Sequence, residues 1–136
     1  MSTPHADGQK EGERRKDAAH ALLEARREYW IRRARRALLE ALMERGSATA
    51  DDVAERLGDI PDDIDPRWLG TVPGRLASAN IIRRVGFTKS RRPPRHASYL
   101  SIWELVGGHD AARDWLAAHP ELPEPDDNED DAGPLS

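Results

Sequence analysis

Two runs read as β-strands, Ile81, Ile82, Val85 and Phe87 in IIRRVGF and then YLSIWEL from Tyr99 to Leu105. From Asp17 up to them, the chain has mainly the periodicity or punctuation of helices. This limits the chain to a mainly helical α+β domain closed by one antiparallel hairpin. About ten residues separate the two runs, too many for a tight turn. Leu100 and Ile102 fall on one face of the second run, and Trp103 with Leu105 on the other. A strand that is apolar on both faces is expected to be substantially covered.

The helices are read from their apolar spacing and their ends. From Asp17 to about Arg45, Leu23, Trp30, Ile31, Ala34, Leu38, Ala41 and Leu42 form one stripe at a 3.6-residue period. Gly46 supplies the stop. Arg32, Arg33 and Arg36 project from the opposite side, with Glu28 and Glu40 four residues from Arg32 and Arg36, the spacing of exposed ion pairs. In SATADDVAERLG, Thr49 and Asp52 suit a helix N-terminus, Val53, Ala54 and Leu57 a short apolar face, and Gly58 the end. Asp65-Pro66 caps a further helix carrying Trp68, Leu69, Val72 and Leu76. Pro73, between Gly70 and Gly74, predicts a kink or two short helices there. Asn80 is placed to end it in the left-handed region. A final helix is expected from about Asp110 to His119, using Ala112, Trp115 and Leu116.

With 136 residues and 38% hydrophobic content, the chain supports one core plus polar extensions. We expect a disordered segment over 1–16, a domain with its long N-terminal helix over 17–106, a C-terminal helix over 107–120 and a disordered acidic tail over 121–136. The absence of cysteine excludes disulfides, thiolate metal sites and cysteine nucleophiles. The five histidines lack ligand spacing, so no metal or other cofactor is expected. Asp51, Asp52 and Glu55 read as capping and dipole residues. No glycine-rich phosphate loop or paired catalytic base stands out, and the chain reads as a non-enzyme. Neither a signal-peptide stretch nor a membrane-span window is present, which predicts a soluble cytoplasmic protein.

The net charge of −4 conceals a sharp division. From Arg67 to Trp103 there are eight basic residues and no acid, whereas Glu104 to Ser136 holds ten acids against Arg113 alone. A basic stretch of this kind, laid over a helix and a hairpin, is the footprint of a polyanion-binding surface. Lys89, Arg91, Arg92, Arg95 and His96 crowd the hairpin loop around Pro93-Pro94, a pair that restricts the loop's unbound conformations.

The order of helix, short helix, short helix and hairpin with a basic tip resembles the winged helix-turn-helix, three helices plus a two- to three-stranded wing. Ser47 to Thr49 is a candidate small extra strand. The stretch GTVPGRLASANIIRRVGFTKSRRPPRHASYLSIWEL is similar to small winged-helix proteins of bacterial prophages and phages, and the resemblance covers roughly Arg36 to Leu105. It implies double-stranded DNA as partner, with transcription regulation or phage DNA transactions as the setting. Arg67 to Ala79 would then stand where the recognition helix does, offering Arg67, Thr71, Arg75 and Ser78. Lys89 to Ala97 would be the wing, its Lys89, Arg91, Arg92, Arg95 and His96 meeting backbone or groove. Two further readings stay open. The basic face of such a domain also suits an acidic protein partner, with the acidic tail as autoinhibitor. The long first helix, carrying Leu22, Leu23, Tyr29 and Trp30, is also a candidate homodimerisation arm.

Overall fold

The structure, a computed structural model, describes residues 4–65, 69–92 and 99–125. It contains helices α1 (Pro4–Arg45), α2 (Ala50–Leu57), α3 (Val72–Ser78) and α4 (Asp110–Ala118), and strands β1 (Ser47–Ala48), β2 (Ile82–Lys89) and β3 (Tyr99–Leu105). The strands form one antiparallel sheet in the order β1-β3-β2. The chain divides into two compact units, Met1–Tyr29 with Pro123–Ser136, and Trp30–Leu122. In the first, α1 begins at Pro4, thirteen residues before the expected start at Asp17. The reason is local: Lys10, Glu11, Glu13, Arg14, Arg15 and Lys16 are residue types of good helix propensity. From Arg14 to Glu28 its side chains are exposed or half-buried, and Leu23 is exposed rather than part of the apolar stripe.

The core belongs to the second unit. Trp30, Ile31, Ala34, Ala37, Leu38, Ala41 and Leu42 are all buried, one face of α1 at helical period, joined by Leu39 from the flank. Leu38, Leu39 and Leu42 are completely covered, and each such burial contributes roughly 1.5–3 kcal/mol. Ala48, Leu57, Val72, Leu76, Ile82, Trp103 and Ala112 are buried with them, one or two from each following element. Ile64 is buried as well, so the Asp-rich connection after α2 is pinned by a single apolar side chain and by the turn from Ile64 N–H to the Pro61 carbonyl.

The ends of the short elements are set by the residues the sequence singled out. Gly46 stops α1 at φ 85° and donates to the Leu42 carbonyl. Thr49 and Asp52 form a capping box at α2, with Thr49 N–H on Asp52 Oδ2 at 2.8 Å. Gly58 ends α2 at φ 69°. Ser47 and Ala48 pair with Glu104 and Trp103, so the small strand expected before α2 is present.

The basic face of α1 reaches beyond its own helix. Arg36 Nη1 donates to the Leu116 and His119 carbonyls at 3.1 and 2.8 Å, and Arg32 Nη1 to the Pro120 carbonyl at 3.2 Å. Arg33 reaches the Leu57 carbonyl at 3.4 Å. These cations therefore sit at the C-terminal ends of α4 and α2, where free carbonyls and the helix dipole favour positive charge. Glu40 pairs instead with Arg56 of α2, as does Glu44.

Candidate nucleic-acid interface

The segment holding α3 breaks where Pro73 requires. Leu69 and Gly70 are helical, Thr71 is a turn, and α3 restarts at Val72 with Pro73 in its first turn, where a missing amide is harmless. Val72 and Leu76 point into the core, at 1% and 2% exposure. Thr71, Gly74, Arg75 and Ser78 are all exposed, and their spacing puts them on one side of the helix. The expected trio of Thr71, Arg75 and Ser78 is thus brought together, while Arg67 lies outside the described residues. Asn80, at φ 62°, turns the chain directly into the sheet. Ile81 then donates to Leu76 and accepts from Val106, tying helix and hairpin together.

The hairpin ladder is regular except at one point. Arg84 lies opposite Trp103, Phe87 opposite Ser101 and Lys89 opposite Tyr99, with an irregularity between Arg84 and Gly86 that inserts Val85 as a bulge. Trp103, Ser101 and Tyr99 alternate along β3, so they share a face, and their partners Arg84, Phe87 and Lys89 share it too. Without the bulge, Arg84 and Phe87 would point to opposite sides. Instead the Arg84 guanidinium lies 5.3 Å from the Phe87 ring centroid and 5.4 Å from that of Trp103, and Lys89 Nζ lies 5.8 Å from that of Tyr99. Trp103 is buried, as its apolar position implies, but Phe87 and Tyr99 are 62% and 67% exposed. The outer part of this hairpin face is less covered than the apolar pattern of β3 suggests.

Past Lys89, the hairpin is fastened to the start of α2. Asp51 and Ser90 are buried at 2% and 4% exposure. Ser90 Oγ donates to the Asp51 carboxylate at 2.9 Å, and the Arg91 backbone N–H donates to Asp51 Oδ2 at 2.7 Å. Asp52, besides its capping bond, accepts from Arg45 at 2.8 Å and from Arg91 Nη2 at 3.3 Å, and Glu55 lies 3.4 Å from the same guanidinium nitrogen. Capping accounts for Asp52 alone. Asp51 is a clamp on the loop, and Glu55 is a partner of Arg91. Arg45, Asp51, Asp52, Lys89 and Arg91 line an open cleft of about 320 Å³ at this joint.

The basic residues of the acid-free run therefore fall into different classes. Arg91 is held by two acids from α2, although its side chain remains 65% exposed. Arg83 faces Glu104 across the ladder. Arg75, Arg84, Lys89 and Arg92 are exposed and, among the described residues, form no ion pair with an acid. Arg95 and His96 lie outside the described residues. Arg84, Phe87 and Tyr99 had no assigned part in the sequence reading, because only the bulge puts them on one surface. Among the described residues, no group of three or more His, Asp or Glu is placed to hold a metal ion, and no helix is long and apolar enough to cross a membrane.

No protein-family model and no curated protein matches the chain. Among solved structures, it is similar to the crystal structure of transcriptional regulator PA4135, at 12% identity over 88% of this chain and 76% of that one, with a TM-score of 0.39. A likeness of that size fixes neither fold nor role.

Proposed function

We propose that this is a non-enzymatic winged-helix protein that binds duplex DNA, with α3 presented to a groove and the β2–β3 hairpin to the backbone, in transcription regulation or related DNA transactions. The element order α1-β1-α2-α3-β2-β3 and the strand order β1-β3-β2 support the winged-helix reading. The observation that carries the binding reading is the set of exposed cations Arg75, Arg84, Lys89 and Arg92, which no acid of the described residues neutralises. An arginine or lysine left without an internal counter-charge remains available to pair with a phosphate of a polyanion. Thr71, Arg75 and Ser78 are the side chains that α3 offers to base edges or phosphates. Arg67, Arg95 and His96 join them by sequence position. The clamp of Asp51 on Ser90 and Arg91 supports a hairpin that leaves the domain at a defined point, which lowers the ordering cost of docking.

The test is fluorescence anisotropy of a labelled mixed-sequence duplex titrated with the full chain over a salt series. Contact with roughly 4 to 6 phosphates gives a slope of log affinity against log salt of about −4 to −5. Absence of binding at low salt would refute the reading.

A further inference from the structure

Phe87 and Tyr99 are large rings left open on the one hairpin surface that also carries Arg84 and Lys89. Duplex binding gives them no task. The faces of paired bases are hidden inside the stack, and a phosphate backbone needs only the cations. We propose that this hairpin face is a stacking site for unpaired bases, so that the protein prefers DNA in which a duplex adjoins a single-stranded stretch. The inference rests on the nucleic-acid reading above and adds a second, chemically distinct subsite to it.

Three observations support it. First, rings and cations alternate over the same surface. Arg84 lies between Trp103 and Phe87, and Lys89 lies beside Tyr99, the combination in which single strands are held, by rings for the bases and positive groups for the phosphates. Second, the register leaves the rings largely exposed beside their cations and correctly spaced. Phe87 stands across from the small Ser101, so nothing large leans over it from β3. Tyr99 is its diagonal neighbour, roughly 7–8 Å away, about two stacking steps of some 3.4 Å. Third, Lys89, the cation beside Tyr99, is of a residue type depleted at the centre of protein interfaces, which disfavours a protein occupant at that end of the face.

The experiment compares two labelled DNAs of equal length, one fully paired and one with a central stretch of unpaired thymines, by anisotropy with the full chain. Wild-type protein is expected to favour the DNA with unpaired bases by roughly five- to a hundredfold, the factor that stacking one base on an aromatic ring supplies. F87L and Y99L keep apolar volume at exposed positions and should reduce the preference to less than about threefold while leaving duplex affinity unchanged. F87Y, which restores a ring, should recover it. Binding of both DNAs with no preference would overturn the stacking site and leave duplex binding standing. A preference that survives the F87L/Y99L double variant would overturn it too, since the bases would then be held elsewhere. Failure to bind either DNA would overturn the DNA reading itself, and this inference with it. A protein that co-purifies with the wild type but not with the double variant, together with no preference between the DNAs, would assign the face to protein docking instead.

Discussion

The joint between α2 and the hairpin makes a quantitative prediction. Asp51 accepts hydrogen bonds from Ser90 Oγ and from the Arg91 amide at 2.9 and 2.7 Å, with both Asp51 and Ser90 withdrawn from water. A hydrogen bond to a charged acceptor is worth about 1.5–3 kcal/mol, and losing the carboxylate removes two. The buried carboxylate also carries a desolvation cost that disappears with it, so Asp51→Ala should destabilise the chain by a net value of about 2–4 kcal/mol. Ser90→Ala removes one of those bonds together with the one its Oγ accepts from the Arg92 amide at 3.2 Å, and leaves the Arg91 amide contact, a loss of about 2–3 kcal/mol. If the two side chains act through each other, the double variant should cost little more than Asp51→Ala alone, a coupling of about 1–2 kcal/mol. Urea unfolding followed by the fluorescence of the four tryptophans measures all four corners of the cycle. Stabilities that add to within about 0.5 kcal/mol would refute the clamp, because independent sites behave that way.

On α3 and the hairpin, Arg75→Ala and Arg92→Ala should each weaken duplex binding and reduce the magnitude of the salt slope by about one if the contact is to phosphate; anisotropy at several salt concentrations reads both. Arg36→Ala removes the donor to the Leu116 and His119 carbonyls and should cost about 1–3 kcal/mol, with amide exchange at the end of α4 accelerating before the rest of the core. At Asn80, whose φ is 62°, substitution by glycine should be neutral within about 0.5 kcal/mol. Asn80→Val should lower stability by about 1–2 kcal/mol, since a β-branched side chain does not tolerate that backbone; thermal melts distinguish the two.

Local punctuation was the most legible part of the sequence. Gly46, the Thr49/Asp52 box, Gly58, the break at Pro73 and Asn80 each act within one turn of chain, and each is found where the residue types require it. The stripe on α1 was legible from Trp30 onward, because there one face meets a core. Leu23 obeys the same spacing but has nothing described over it to complete its burial. What could not be read were contacts between distant segments. Arg36 meets residues some eighty positions away, and Asp51 meets Ser90 across thirty-nine. A four-residue spacing to Glu40 gives no hint of the first, and a helix-start position conceals the second. For the candidate interface, the exposed trio on α3 followed from helical period. The open rings did not, since alternation along β2 alone assigns Phe87 to the wrong side.

That misassignment traces to Val85. One inserted residue changes the phase of β2, so that the cation at Arg84 and the ring at Phe87 share a surface despite an odd number of steps between them. Deleting Val85 would straighten the strand and still leave Arg84, Phe87 and Lys89 on one face, because the pairs on either side of it would keep their register; keeping Val85 but forcing it into a regular ladder would turn Phe87 and Lys89 to the opposite face, away from Trp103 and Tyr99. The surface chemistry of this hairpin is thus a property of chain counting more than of residue choice. A one-residue slip of the pairing beyond the bulge would rewrite it more thoroughly than a substitution at any one of its side chains.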